Sequence, residues 1–348
     1  MLHSRVIRTV AVAVAGLVAA VSLGACSSGG TDVQKEDGLD IVTMRHSWVP
    51  DQLTLPYEYA KAQGFYEDEG IQLVDQAGNG GATSVQLVAN GEVMFGTGES
   101  SHLLSAQSKG INVVSVMQQY QEQPMAVITL KTSGIDSWEE LEGKSIGGTV
   151  ASSGTVGILA ALSLKGIGEK DIDFVNLSPG AQYAALLEGD IDAAGTFIGN
   201  LAAFDFYDEL NILPLSDAGY VAPSTTLFTS EEFLEKNPDL VERFVRATLR
   251  GMVATLEDPK AAAEAMASRI ANVKAPALEA TFLLDRQFVA TAFTDENGLG
   301  IHNADSWAQQ AEMLFELKQL DTKVDSTKNF TNEFVEATPI EERTYSSR

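Results

Sequence analysis

From residue 39 onward, short apolar runs of strand character alternate with amphipathic helical runs: "LDIVTM", "LPYEYAKAQGFYEDEG", "IQLVDQ", "TSVQLVANG", "EVMFGTG", "SSHLLSAQSKG" and "INVVSVM". A period near two giving way to one near 3.6, again and again, predicts a mostly parallel sheet with helices on both faces. Thr83 or Ser84 is placed to cap a helix that ends at Gly91, and Ser100 to cap one that stops at Gly110. The scheme then repeats in "MAVITLK", "KSIGGTV", "SSGTVGILAALSLKG", "IDFVNL", "PGAQYAALLEG", "DIDAAGTF" and "NILPLS", with Ser178 and Pro179 opening a helix that closes on Gly189.

The two halves echo each other. In "ANGEVMFGTGES" (89–100) and "LEGDIDAAGTF" (187–197), a helix closes on glycine, an acid follows, and a short buried strand runs out into small polar residues. In open α/β sheets ligands bind beyond the carboxyl ends of the strands. Thr97, Gly98, Glu99, Ser100 and Ser101 are therefore expected to form one wall of a shared cleft, and "GTFIGN" (195–200) part of the other. From about Ser230 the pattern becomes purely helical, and "TTLFTS" before it carries the chain back. Crossings near 123–128 and 222–229 make a two-stranded hinge.

The amino end has a different composition. Arg5 and Arg8 precede an apolar and small-residue run over 10–20, too short to span a bilayer, which reads as an export signal over 1–25. The only cysteine, Cys26, ends "LGAC", and residues 26–38 read as a flexible tether spanning roughly 20 Å. The expected organisation is a first lobe from 39–124 plus 228–348 and a second from 125–227. With Arg5 and Arg8 removed, 21 Lys and Arg remain against 48 Asp and Glu, a formal charge of −27. So acidic a surface does not attract nucleic acid or anionic headgroups.

Little points to covalent chemistry. His46, His102 and His302 are far apart, no paired-cysteine or HxxxH spacing exists, and no metal or cofactor is expected. "EGKS" (142–145) lacks the upstream glycine of a phosphate-binding loop and precedes a strand, and no GxSxG elbow is present. "GGTVASSGTVG" (147–157) instead offers the start of a helix, where Ser152, Ser153, Gly154 and Thr155 bring hydroxyls and backbone N–H groups to a ligand. Glu99 would repel a sulfonate but accept hydrogen bonds from an amino group or ring N–H. Gln119 and Tyr120 at the hinge would add amide and hydroxyl contacts.

Taken in order, "YAKAQGFYEDEGIQL", "LVANGEVMFGTG", "GIDSWEELEGKSIG", "LLEGDIDAA" and "NPDLVERFVRATLRG" resemble solute-binding proteins of ABC importers, in the branch with sulfonate, taurine and thiamine-precursor binders. "LGAC" resembles a lipobox, which implies diacylation of Cys26 and a tether to the outer face of the cell membrane. The resemblance implies a two-lobed, type II periplasmic-binding-protein fold, a small-molecule solute, permease and ATPase partners, a monomer, and no enzyme activity. "HSWVPD" before "GFYEDEG" is similar to thiamine-pyrimidine binders, and implies that Trp48 lies over a heteroaromatic ring, with Phe197 and Asn200 closing from the second lobe. The histidine usual a few residues after that proline is replaced, with Thr54 nearby. Alternatives are a sulfonate or taurine binder using Arg45, a pyrimidine synthase-like enzyme, whose family bears histidine and a cysteine cluster, and a structural lipoprotein.

Overall fold

The computed structural model describes residues 33–149, 153–178 and 180–345, with Ser153 described by its backbone alone. The expected signal, Cys26, Ser152 and Pro179 lie outside the described residues. Within the stretch expected as tether, β1 (Lys35–Glu36) already pairs antiparallel with the start of β2 (Leu39–Arg45). The turn between them is tight because Asp37 and Gly38 both take positive φ, 50° and 88°.

In the first lobe β2 leads through α1 (Leu55–Ala62) and α2 (Phe65–Asp68) to β3 (Ile71–Gln76), and α3 (Gly81–Ala89) to β4 (Phe95–Glu99). Then α4 (Ser100–Ser108) leads to β5 (Val113–Gln118). The second lobe carries β6 (Met125–Leu130), β7 (Ser145–Gly148), α5 (Ser153–Leu164), β8 (Asp173–Asn176), α6 (Ala181–Glu188), β9 (Ala193–Phe197) and β10 (Leu210–Pro214). The chain returns in β11 (Thr225–Ser230) and finishes in helices: α7 (Glu231–Lys236), α8 (Pro238–Glu257), α9 (Pro259–Arg269), α10 (Ala275–Asp285), α11 (Ala292–Asn297), α12 (Ala304–Glu316) and α13 (Glu333–Glu336).

The sheets share one order. The first runs β3-β2-β4-β11-β5 and the second β8-β7-β9-β6-β10, and in each the fourth strand is antiparallel to both neighbours. Four of the five strands in each order run the same way, the mostly parallel arrangement that the alternating pattern predicts, and one is reversed. The cause is the crossings. β5 ends at the seam, so the strand after the crossing, β6, must run away from it while its neighbours run toward it. β11 does the same in the other direction.

The crossings lie side by side and are bonded to each other: Gln119 and Tyr120 donate backbone N–H to Thr225 O at 2.9 and 3.0 Å, and Ser224 N–H reaches Tyr120 O at 3.1 Å. Gln118, fully buried, ties them together. Its Nε2 donates to Tyr120 O (2.7 Å) and Thr225 O (3.1 Å), and its Oε1 accepts Trp307 Nε1–H of α12 at 3.0 Å.

Packing follows the apolar faces. α8 buries Leu240, Val241, Phe244, Val245, Leu249 and Met252 against the first lobe, with Phe244 4.3 Å from the Phe95 ring. It crosses α1 so closely that a Cβ on Gly251 would lie 2.3 Å from Pro56 O and 2.7 Å from Ala60 Cβ. A second buried polar unit joins β5 to the C-terminal segment: His302 Nε2 lies 2.5 Å from Ser115 Oγ, and its Nδ1 lies 2.7 Å from Asn332 Oδ1. With the proton on Nδ1, the ring donates to Asn332 and accepts from Ser115. It resembles a hydrolytic triad in connectivity but is closed to substrate, Ser115 being fully buried and His302 nearly so.

Three outcomes test this packing. Gln118→Leu, which strands the Trp307 N–H and the crossing carbonyls, should cost about 1–3 kcal/mol in chemical denaturation. Gly251→Ala should destabilise by about 1–3 kcal/mol through overpacking, against the gain of up to about 1 kcal/mol that the exchange brings in an open helix. Burial pushes the His302 imidazole down to about 4, below its ordinary 6.5, against the opposing Asn332 bond. A depressed folded value means the contribution is complete above pH 6.5 and is lost as pH falls toward 4, up to about 3 kcal/mol. His302→Gln should flatten that acid limb in urea titrations between about pH 7 and 4; an unchanged limb would contradict it.

Candidate functional site

The carboxyl ends of both sheets converge on the seam beside the crossings. On the first lobe, the chain after β2 lies directly on the chain after β3: a Cβ on Gly78 would come 1.8 Å from His46 O, so only glycine fits. Gly78 N–H donates to Trp48 O at 2.8 Å, Gly80 N–H to Ser47 O at 2.7 Å, and Ser47 N–H to Thr97 Oγ1 at 2.8 Å. The backbone of Trp48 is thereby held, while its ring is 54% exposed. Arg45, at the end of β2, reaches Gln76 Oε1 and Asn79 Oδ1, each at 3.4 Å, and its buried Nε has no partner.

The other first-lobe residues divide between rim and interior. Glu99, not Ser100, is the N-cap of α4, and its backbone N–H meets His102 Nδ1 at 3.2 Å. Ser100 is drawn inward, its Oγ 2.6 Å from both Pro223 O and Gln310 Oε1, and Ser101 stays half-buried beside it. Gln119 spends its amide inside the lobe, Nε2 donating to Leu53 O at 2.8 Å and Oε1 accepting Tyr57 Oη–H at 3.3 Å. Tyr120 is fully buried and its Oη has no hydrogen-bond partner. Thr83 and Ser84 do not cap α3, which starts after Gly80; Ser84 Oγ donates to His46 O instead.

On the second lobe, Gly154 and Thr155 are buried in the first turn of α5, and Thr155 Oγ1 donates to Thr149 O at 2.8 Å. Val156 packs on the first-lobe cluster of Leu103, Leu104, Phe228 and Trp307. Phe197 ends β9 with its ring 38% exposed, and Asn200 is exposed just beyond it in the 3₁₀ segment Ile198–Ala203. Trp48 and Phe197 thus put one open aromatic at the strand ends of each lobe.

The lobes also touch through α10. Leu278 and Phe282 share one continuous apolar cluster with Ile198 and Leu201 of the second lobe and Met44 and Tyr120 of the first. At the end of α10, Asp285 is 1% exposed. Its Oδ2 accepts Gln52 Nε2–H at 2.9 Å, whereas Oδ1 has no hydrogen-bond partner. A Cβ on Gly199 would lie 2.8 Å from that oxygen, so the second lobe meets it with bare backbone. Burial pushes the Asp285 carboxyl up to about 7; Gln52 and the Gly199 amide oppose this, the latter without closing a well-formed bond, and the Asp51 charge adds to it. Asp51, partly open at its surface yet ringed by protein, is itself pushed up to about 6 by desolvation, against N–H bonds from Leu53 and Thr54 and the pull of His46.

Sequence reasoning missed a charged network at the ends of β2 and β3. Lys61 Nζ bonds Asp75 Oδ1 at 2.6 Å and Glu58 Oε1 at 2.7 Å, His46 Nε2 lies 2.8 Å from Asp75 Oδ2, and Arg269 Nε reaches Glu58 Oε2 at 3.1 Å. Burial raises the Asp75 carboxyl, but the His46 and Lys61 bonds outweigh it and hold it well below the usual carboxylate range. These groups and Thr54 line a cavity of ≈ 280 Å³. Each charged side chain lining it is paired with another. Among the described residues no group of three or more His, Cys, Asp or Glu is placed to hold a metal ion.

The chain is 30% identical over 310 residues to the riboflavin-binding protein RibY of Chloroflexus aurantiacus, covering 85% of this chain and 86% of that protein. It is 26% identical over 304 residues to the 4-amino-5-hydroxymethyl-2-methylpyrimidine phosphate synthase of Legionella pneumophila, covering 86% and 93%. The fold is similar to that of the periplasmic aliphatic sulphonate-binding protein SsuA of Escherichia coli, with a TM-score of 0.68 at 18% identity over 83% of this chain and 91% of that one. The model of the NMT1/THI5-like proteins matches residues 54–262, which is most of both sheets, their crossings and the helices from α1 to α8; the chain belongs to the NMT1/THI5-like family.

Proposed function

We propose that this protein is the extracytoplasmic, lipid-tethered solute-binding component of an ABC importer, and that it captures a small heteroaromatic solute between its lobes. The observation that carries the reading is the seam: strand ends of two equally ordered sheets converge there, bordered by the open rings of Trp48 and Phe197. Aromatic stacking from both sides suits a flat guest and adds about 0.5–1.5 kcal/mol per ring beyond burial. RibY is named for binding riboflavin, and the Legionella relative for a pyrimidine, so the relatives' names also point to nitrogen heterocycles. A guest touching both lobes at once favours the closed arrangement by its differential affinity. Tethering rests on the lipobox-like "LGAC" at Cys26.

Two other readings are separable. A sulfonate binder is favoured by the likeness to SsuA, and would place Arg45, whose Nε lacks a partner, against the anion. A pyrimidine synthase would need reactive groups that this chain does not supply in the cysteine-rich pattern of that enzyme, since Cys26 is its only cysteine.

Thermal unfolding of the full-length chain with riboflavin, 4-amino-5-hydroxymethyl-2-methylpyrimidine and taurine tests the proposal. One heteroaromatic should stabilise the protein by about 2.7 kcal/mol at a hundredfold excess over Kd. Trp48→Ala should weaken that ligand by roughly two- to tenfold while leaving the unliganded Tm unchanged. A shift with taurine alone would contradict the proposal.

A further inference from the structure

We propose that Asp285 is the specificity-determining acceptor of the seam: its unpartnered carboxylate oxygen takes an N–H from the guest, so that ring N–H or amino donors are selected and anions such as sulfonates rejected. This deepens the heteroaromatic-binding reading and rests on it.

Three independent features converge on the assignment. Asp285 Oδ1 is the sole carboxylate oxygen among the described buried residues that lacks a partner. Leaving such a group unsatisfied is costly, and a donor from outside the chain removes that penalty. Its position is also right for reading a guest. It ends α10 where that helix lies against the Ile198–Ala203 segment, and the backbone of Gly199 comes to it from the other lobe. Lastly, Tyr120 Oη, fully buried at the first crossing, is likewise unpartnered and feels the charges of both Asp285 and Asp51. A neutral N–H with an adjacent acceptor, the edge that aminopyrimidines and flavins present, could meet Asp285 and the Tyr120 hydroxyl together.

The surroundings decide the sign. Asp51 and Asp285 are both acids, and the Ile198–Ala203 segment contributes no titratable side chain. Among the described residues no ion pair joins Asp285 to a cation, Arg286 beside it in the chain included. On α9, Arg269 is engaged by Glu58, and Lys260 pairs with Glu264. Glu122 on the crossing is a further acid, raised by burial. A sulfonate brought against Asp285 would face two carboxyls, and His46, which acts on Asp51, is already engaged by Asp75 at 2.8 Å. An N–H donor is held best by the ionised carboxylate, so its affinity should rise with pH as Asp285 loses its proton near 7.

Isothermal titration of the full-length chain and of Asp285→Asn with riboflavin, 4-amino-5-hydroxymethyl-2-methylpyrimidine and taurine, at about pH 5.5 and 8 on either side of that titration, separates the outcomes. In the wild type the bound heteroaromatic should gain several-fold in affinity from the lower to the higher pH. Asp285→Asn should weaken it at least tenfold at the higher pH, remove most of the pH dependence, and leave taurine unchanged or better bound. Tyr120→Phe, a milder change, should weaken it two- to fivefold, and the wild-type pH profile needs no variant to fold. Heteroaromatic binding that stays within twofold in both variants and at both pH values would overturn the role of Asp285 and leave the binding function standing. Preference of the wild type for taurine over both heteroaromatics would overturn the function and the acceptor together.

Discussion

The structure depends on one constraint: the chain must pass between lobes twice at the same place, and the two passages must satisfy each other's backbone groups. Gln118 meets that demand. One buried amide binds carbonyls of both passages and accepts the indole N–H of α12, so hinge and C-terminal helices are a single bonded unit. Everything else in the topology follows from where that unit sits. The reversed fourth strand of each sheet is the first stretch of chain after a passage, and the free strand ends of both lobes are left facing the same seam.

The seam carries apolar and polar contacts of different character. The contact of α10 with Ile198 and Leu201 is apolar and continuous with the cores of both lobes, which favours a closed arrangement without a guest. Asp285 opposes it as it ionises, because a charged carboxyl is poorly accommodated where the other lobe presents only backbone, and Asp51 is likewise penalised by desolvation in the first lobe. Their raised values mean that the stability they lend is complete below pH 3.8 and lost as pH rises through about 6 and 7. His302, held neutral in the first lobe's core, has the opposite dependence. Acid therefore loosens the first lobe's core while it relieves the seam.

Much of this is legible in the residues, and the parts that are not share a cause. The alternation of runs, the closing glycines Gly91, Gly110 and Gly189 with φ of 71°, 75° and 79°, and the echo between the halves mark the elements and their repetition. Strand direction is invisible to hydrophobic periodicity, so the reversed strands leave no mark in it. Local capping rules misassign Ser100 because a tertiary partner, Pro223 O, competes for its hydroxyl. The Lys61, Asp75, His46 and Arg269 network joins residues up to 211 positions apart, Arg269 reaching back to Glu58, and no spacing announces it. Asp285 does leave a trace: an acid in "TFLLDRQFVA", closing an apolar helical run, is out of place unless something needs it.

A guest bound as proposed lies between the carboxyl ends of the two sheets. A crystal structure of the full-length chain grown with riboflavin tests it most directly. Density for the ring system is expected in the seam, in contact with Trp48 or Phe197. Density in the charged cavity beside Lys61 and Arg269, with the seam empty, would contradict it.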